Sequence, residues 1–154
     1  MKNIWASIYN FIQTSKHKLW VLWYTVVVCC KLLNRGVKHD FSKYGKKESS
    51  GYASVIFNLK NLAYGSDEYK TALEEIKPST VLHYSQNRHH PEFHPNGVGD
   101  MSMLDLTEMM IDWRAATRRH KNGDIFKSIE INQDRFKYNE TIKRLMLSLA
   151  KELK

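Results

Sequence analysis

The chain is short of the residues that break regular structure. Its 154 residues include three prolines and seven glycines. The intervals between them are long, which favours helices. No alternation of period two persists anywhere and no internal repeat is present, so strands are not expected. Cysteine is nearly absent: the two, Cys29 and Cys30, are adjacent. Neighbouring cysteines rarely bridge, which excludes a disulfide scaffold. They read as small apolar core residues of a cytosolic protein. Long apolar runs are lacking too. The longest, Leu19 to Cys30, falls short of the about 20 residues that cross a bilayer. It lies far from the start for a signal sequence, and no small-residue cleavage site follows it. The run is expected to be a buried helix, with no membrane partner and a cytoplasmic location.

What is present fits one globular domain spanning 1–154. Hydrophobic residues make up 42% of the chain, too many for a disordered one. The net charge of +8 points to an anionic partner: a nucleotide, a nucleic acid or an acidic surface. Oligomeric state is not legible.

Helical spacing organises most of the chain. Ile4, Ile8, Phe11 and Ile12 form one stripe over 2–13. Thr14-Ser15 can cap a second helix over about 16–34, with His17 in its first turn and Asn34-Arg35-Gly36 as its stop. A third helix is expected from Ser49 to Ala63, ended by Gly65-Ser66. The next runs from Asp67 to about Arg88, and Pro78 either kinks it or starts a new one. Residues 91–101 form a loop. Ser102 and Asp105 make a capping box for a helix to about Arg119, closed by Lys121-Asn122-Gly123. A short helix over 127–136 and a last one from Asn139 to about Leu153 complete an all-α single bundle of six or seven helices. Trp5, Trp20, Trp23 and Trp113 fall on helical stripes and read as core.

Ligand-type residues are dense between Val81 and Asp112. His83, His89, His90 and His94 lie there, followed by Asp105, Glu108 and Asp112 on one helical face. His17 and the pair His39-Asp40 lie upstream. Mixed imidazole and carboxylate donors suit first-row transition ions. Ordinary explanations compete at several positions. His17, beside Lys16 and Lys18, has the surroundings of a surface histidine. Asp105 is accounted for by its cap. Glu108 is either solvated or bonded to a nearby histidine. His94 reads as an exposed loop residue. Asp112, preceded by Met109-Met110-Ile111 and followed by Trp113, must be paired or ligated if buried.

The order His17, His39-Asp40, His83, His89-His90, Asp112 resembles the HD-domain superfamily of metal-dependent phosphohydrolases. His39-Asp40-Phe41-Ser42-Lys43 is similar to that superfamily's H-D-x-x-K motif. Residues 89–117 are similar to a segment of its HD-GYP branch, although Gly97-Val98-Gly99 stands where that branch has its glycine-tyrosine-proline triplet. Over nearly its full length the chain also resembles an uncharacterised family of small phage and bacterial proteins, sharing HD-x-S-K, H-Y-x-x-N-x-H-H-P-E and E-M-x-x-D-W.

The superfamily resemblance implies an HD-domain-like helical fold, with Asp40 and Lys43 as the catalytic pair. It implies one metal on His17, His39, Asp40 and Asp112, and a second on Asp40, His83, His89 and His90, the ions being Fe, Mn, Zn, Ni or Co. Glu108 would stand behind these ligands. Lys43, Arg88, Arg114 and Arg118 are candidate phosphate contacts. The implied activity is hydrolysis of a nucleotide or other small phosphate ester, in a host cytoplasm if phage-encoded. The alternative is a non-catalytic, metal-stabilised helical module that binds nucleic acid or a protein partner.

Overall fold

Six helices are set by these sequence signals in a computed structural model that describes residues 2–59, 67–119 and 123–153. They are α1 (Lys2–Lys38), α2 (Lys46–Leu59), α3 (Asp67–Gln86), α4 (Met103–Thr117), α5 (Ile125–Phe136) and α6 (Glu140–Glu152). Three short 3-10 turns, Phe41–Tyr44, Pro91–Phe93 and Gly97–Asp100, serve the connections. No strand occurs among the described residues, so the fold is an all-α helical bundle. The expected helix end at Ala63 and the Gly65-Ser66 stop lie outside the described residues.

The chain divides into two compact units, Met1–Lys38 and His39–Lys154. The first is α1 alone. One continuous helix replaces the two expected, because Thr14-Ser15 can begin a helix only where something ends the one before. No glycine or proline interrupts the ladder there, and both residues stay inside it. The expected burial of Leu19–Cys30 is not found: Leu19, Val21, Leu22, Val26 and Val28 are exposed, as are Cys29 and Cys30. Trp5, Trp20 and Trp23 are exposed as well. Of the four tryptophans only Trp113 packs against a core.

The second unit has two apolar clusters. Val55, Ala72 and Ile76 join α2 to α3. Leu106, Met109 and Met110 of α4 pack with Ile125 and Ile129 of α5 and with Met146 and Ala150 of α6. Full burial of each large side chain contributes about 1.5–3 kcal/mol. The α2–α3 contact depends on a missing side chain. A Cβ at Gly51 would stand 1.9 Å from Ser79 Oγ, so only glycine lets these helices approach so closely. That approach carries Glu48, in the first turn of α2, toward His83 on α3.

Local signals hold well at several ends. Ser102 Oγ accepts from the Asp105 N–H at 3.2 Å, and the Ser102 N–H donates to Asp105 Oδ2 at 2.9 Å, which completes the capping box of α4. Asn139 Oδ1 accepts from the Ile142 N–H and caps α6. Pro78 neither ends nor divides α3. It leaves the Glu74 carbonyl without its helical donor, and Glu74 is exposed, so water can serve instead.

Candidate metal centre

The cluster is built from four pieces of the second unit: the residues just after α1, the start of α2, the end of α3 with its following loop, and the middle of α4. Asp40 is its hub. It adopts a left-handed backbone, φ 56° and ψ 21°, a conformation that aspartate tolerates at a cost of about 1 kcal/mol. The turn at this residue starts the short helix Phe41–Tyr44, and Lys43 Nζ then lies 2.6 Å from Asp40 Oδ2.

Three imidazoles converge on the same carboxylate. His83 Nε2 is 3.2 Å and His89 Nε2 is 3.4 Å from Asp40 Oδ1, and His39 Nε2 is 3.5 Å from Asp40 Oδ2. His90 Nε2 lies 2.8 Å from His83 Nε2. Asp40, His83, His89 and His90 each offer one donor atom within 4.8 Å of the others, a set able to hold a metal ion. A second such group joins His39, His89 and Glu108. Asp112 Oδ1 stands 3.4 Å from His39 Nε2.

Carboxylates sit behind the rings. Glu108 Oε1 lies 3.0 Å from His39 Nδ1 and 3.3 Å from His89 Nδ1. Glu48 Oε1 lies 2.7 Å from His83 Nδ1, and both residues are 2% exposed. At His39 the Glu108 carboxylate on Nδ1 fixes the tautomer and turns Nε2 outward as the donor, the usual support of a ligating histidine, whereas His83 Nδ1 also lies 3.0 Å from the Asn87 amide nitrogen and 3.3 Å from Ser42 Oγ. The Asn87 amide donates to Ser42 Oγ at 2.8 Å and to the His83 carbonyl at 2.8 Å, tying the end of α3 to the 41–44 turn.

Two buried atoms at the centre make no hydrogen bond: Asp40 Oδ1 and His89 Nε2. Buried polar atoms are nearly always bonded, because desolvation without compensation costs about 1–3 kcal/mol. Their facing one another inside a four-donor set fits a cation between them. Glu48 has the same deficit at both oxygens: its approach to His83 is close but poorly aligned.

Electrostatics agree with a cation site. His39 is raised from its ordinary 6.5 to about 10, first by its bond to Asp112 and then by Glu108. Burial would raise Asp40, but the nearby His83 and His89 rings and the Lys43 ammonium outweigh it and hold the carboxyl well below the usual range. His89 is raised despite burial, through Asp40 and Glu108. Asp112 is lowered, its burial outweighed by His39. His90 moves the other way, to about 3, through burial and then the charges of His89 and His83. A ring kept neutral keeps its lone pair for a metal.

Other candidates lie outside these donor groups or are committed to other partners. His17 is exposed on α1, in the first unit. Arg88 is paired with Asp105, which Nε and a terminal nitrogen reach at 3.2 and 3.1 Å. Asp105 is fully buried and needs that charge. Arg114 donates to the Leu153 carbonyl at 2.9 Å and to Thr117 Oγ1 at 3.1 Å, so it braces the end of α6. Arg118 is the exposed cap of α4. Of the four cations only Lys43 borders the cluster. His94 is buried rather than exposed, with Nε2 2.9 Å from the Arg88 carbonyl.

Three supporting residues escaped sequence reasoning. Ser42 and Asn87 lie inside recognisable motifs, HDFSK and HYSQNRHHPE, and were legible there. Glu48 looks like an ordinary acid in a helix's first turn, and only the Gly51–Ser79 approach reveals its role.

An all-α protein with a buried His/Asp cluster able to hold a metal ion is the class that fold and site define. Residues 7–154 match the DUF5662 family, described as a family of unknown function, and the chain belongs to it. No curated protein and no solved structure matches.

Proposed function

We propose that the protein is a metal-dependent phosphohydrolase acting on a nucleotide or other small phosphate ester. The observation that carries the reading is the facing pair of buried, unbonded donors, Asp40 Oδ1 and His89 Nε2, within the Asp40–His83–His89–His90 set. Asp40, His83, His89 and His90 would hold one cation. His39, with Asp112 and the second oxygen of Asp40 beside it, offers donors for another. The mixed imidazole and carboxylate set suits Fe, Mn, Zn, Ni or Co. When bound, such an ion supplies Lewis acidity, making water more acidic and polarising a phosphoryl oxygen.

The chain's own residues do the remaining work. Glu108 orients the rings of His39 and His89 through Nδ1, and Glu48 places a negative charge beside Nδ1 of His83. Lys43, at the edge of the cluster and 40% exposed, holds a phosphate oxygen beside the hub.

A second reading rests on the donor count. Four protein donors are enough to close a tetrahedral structural site, which favours a metal-stabilised module binding nucleic acid or a protein. Phosphate release separates the two. Full-length protein supplied with each metal in turn is assayed against nucleoside phosphates and simple phosphomonoesters. Hydrolysis is expected to require metal, to vanish in Asp40→Asn and to show a raised KM in Lys43→Gln. Bound metal without turnover on any phosphate supports the structural module and rejects the hydrolase.

A further inference from the structure

Unit 1 has chemistry that the metal cluster does not use. Leu19 to Cys30 holds no charged residue over about 18 Å, at 1.5 Å per residue. Residues 3–15 are amphipathic: Ile4, Ile8, Phe11 and Ile12 share one side, while Asn3, Ser7, Asn10 and Thr14 share the other. Trp5 is 72% exposed, Trp20 61% and Trp23 59%. The charge is of one sign. Lys2, Lys16, Lys18, Lys31, Arg35 and Lys38 lie in this unit, with no aspartate or glutamate, so all the chain's carboxylates belong to the second unit.

We propose that α1 is a peripheral membrane helix that docks on anionic lipid. Three observations choose this occupant. Exposed tryptophans and tyrosines are the side chains that settle at the headgroup boundary, with one end apolar and the other wet. The cations bracket the apolar segment, Lys16 and Lys18 before it and Lys31, Arg35 and Lys38 after it, as a negatively charged surface requires. Thr25, inside the apolar segment, donates its hydroxyl to the Val21 carbonyl at 2.9 Å and so needs no water.

A second copy of α1 is a poorer fit. It would bring a second set of cations against the first with no carboxylate on either helix to neutralise them. Spanning is not proposed either: no described helix is long and apolar enough to cross a membrane. The expectation of no membrane partner rested on Leu19–Cys30 being too short to span and on its being buried, and the run is exposed instead. The proposal is independent of the metal reading.

The test uses full-length Trp113→Phe protein under reducing conditions, so that all remaining tryptophans report on α1. It is mixed with vesicles of phosphatidylcholine alone, and with vesicles of equal parts phosphatidylcholine and phosphatidylglycerol. Co-sedimentation and a blue shift of tryptophan emission are expected with the anionic vesicles only, both weakened by salt. Lys16→Gln, Lys18→Gln and Lys31→Gln keep helix propensity and are each expected to lower partitioning about fivefold. Trp20→Ser with Trp23→Ser is expected to abolish the shift. Absence of partitioning, or equal partitioning to both vesicle types, overturns the proposal. So does a solution dimer that these serine substitutions dissolve while no vesicle binds.

Discussion

The two units invert the ordinary partition of side chains in opposite directions. In α1, large apolar groups such as Trp5, Phe11 and Leu19 are exposed. In the second unit, polar and charged groups such as Glu48, His83, His89 and Asp105 are buried. Exposed apolar surface calls for a covering partner, and buried charge calls for a compensating one. Histidine shows the contrast best: His17 is exposed on α1, whereas His83 is 2% exposed between Glu48 and Asp40. The residue type is the same, and its surroundings decide whether it can act as a ligand.

Glu48→Gln should break the second half of this contrast most sharply. It removes the charge that stands 2.7 Å from His83 Nδ1, and metal affinity is expected to fall about 10–100-fold, as for other residues that support ligands. A competition titration with a coloured chelator measures it. An unchanged affinity would mean that the Glu48 charge does not support the site.

Arg88→Ala separates a buried charge from a site charge. Asp105 keeps its Ser102 partners but loses its cation, and stability is expected to fall by about 1–3 kcal/mol, read by denaturant unfolding. KM for any phosphate substrate should not change. A raised KM with unaltered stability would return Arg88 to the phosphate-binding set.

The pH dependence of the metal-free protein sharpens the electrostatic part. His39 has a raised folded pKa, so its contribution is complete below about 6.5 and is lost as pH rises through about 10. His90 is depressed to about 3, so stability falls as pH drops below 6.5 and the unfolded chain takes up the proton first. Denaturant midpoints are expected to decline on both sides of about 6.5, and His39→Gln should remove the alkaline decline attributed to that ring.

His17→Ala carries the smallest expected effect. The ligand-capable groups of the second unit form without it, and metal content should be unchanged by elemental analysis. A fall in content would show that α1 supplies a ligand.

Features governed by near neighbours in the chain were the ones legible in the sequence. The Ser102–Asp105 box, the Asn139 cap and the helices they open depend on residues three apart. The ligand residues were legible because histidine beside aspartate, and paired histidines before a proline loop, are uncommon without a reason. What stayed hidden depends on distant surfaces. The pairing of Arg88 with Asp105 joins the end of α3 to the start of α4. The role of Glu48 requires the α2–α3 approach that Gly51 permits. Continuity of α1 through Thr14-Ser15 hid for a different reason: a capping residue marks a start only where the preceding turn stops. The exposure of its apolar segment was hidden because hydrophobicity signals a need for cover and does not name what provides it.

Metal content decides whether Asp40, His83, His89 and His90 hold an ion. Full-length protein purified with each first-row ion in the growth medium, then dialysed, is analysed for bound metal alongside Asp40→Asn and His89→Ala. Stoichiometric transition metal is expected in the unaltered protein and its loss in both variants, with helical content retained by circular dichroism. An unaltered protein that is folded and free of metal, or variants that retain it in full, would mean that these four residues do not hold a metal.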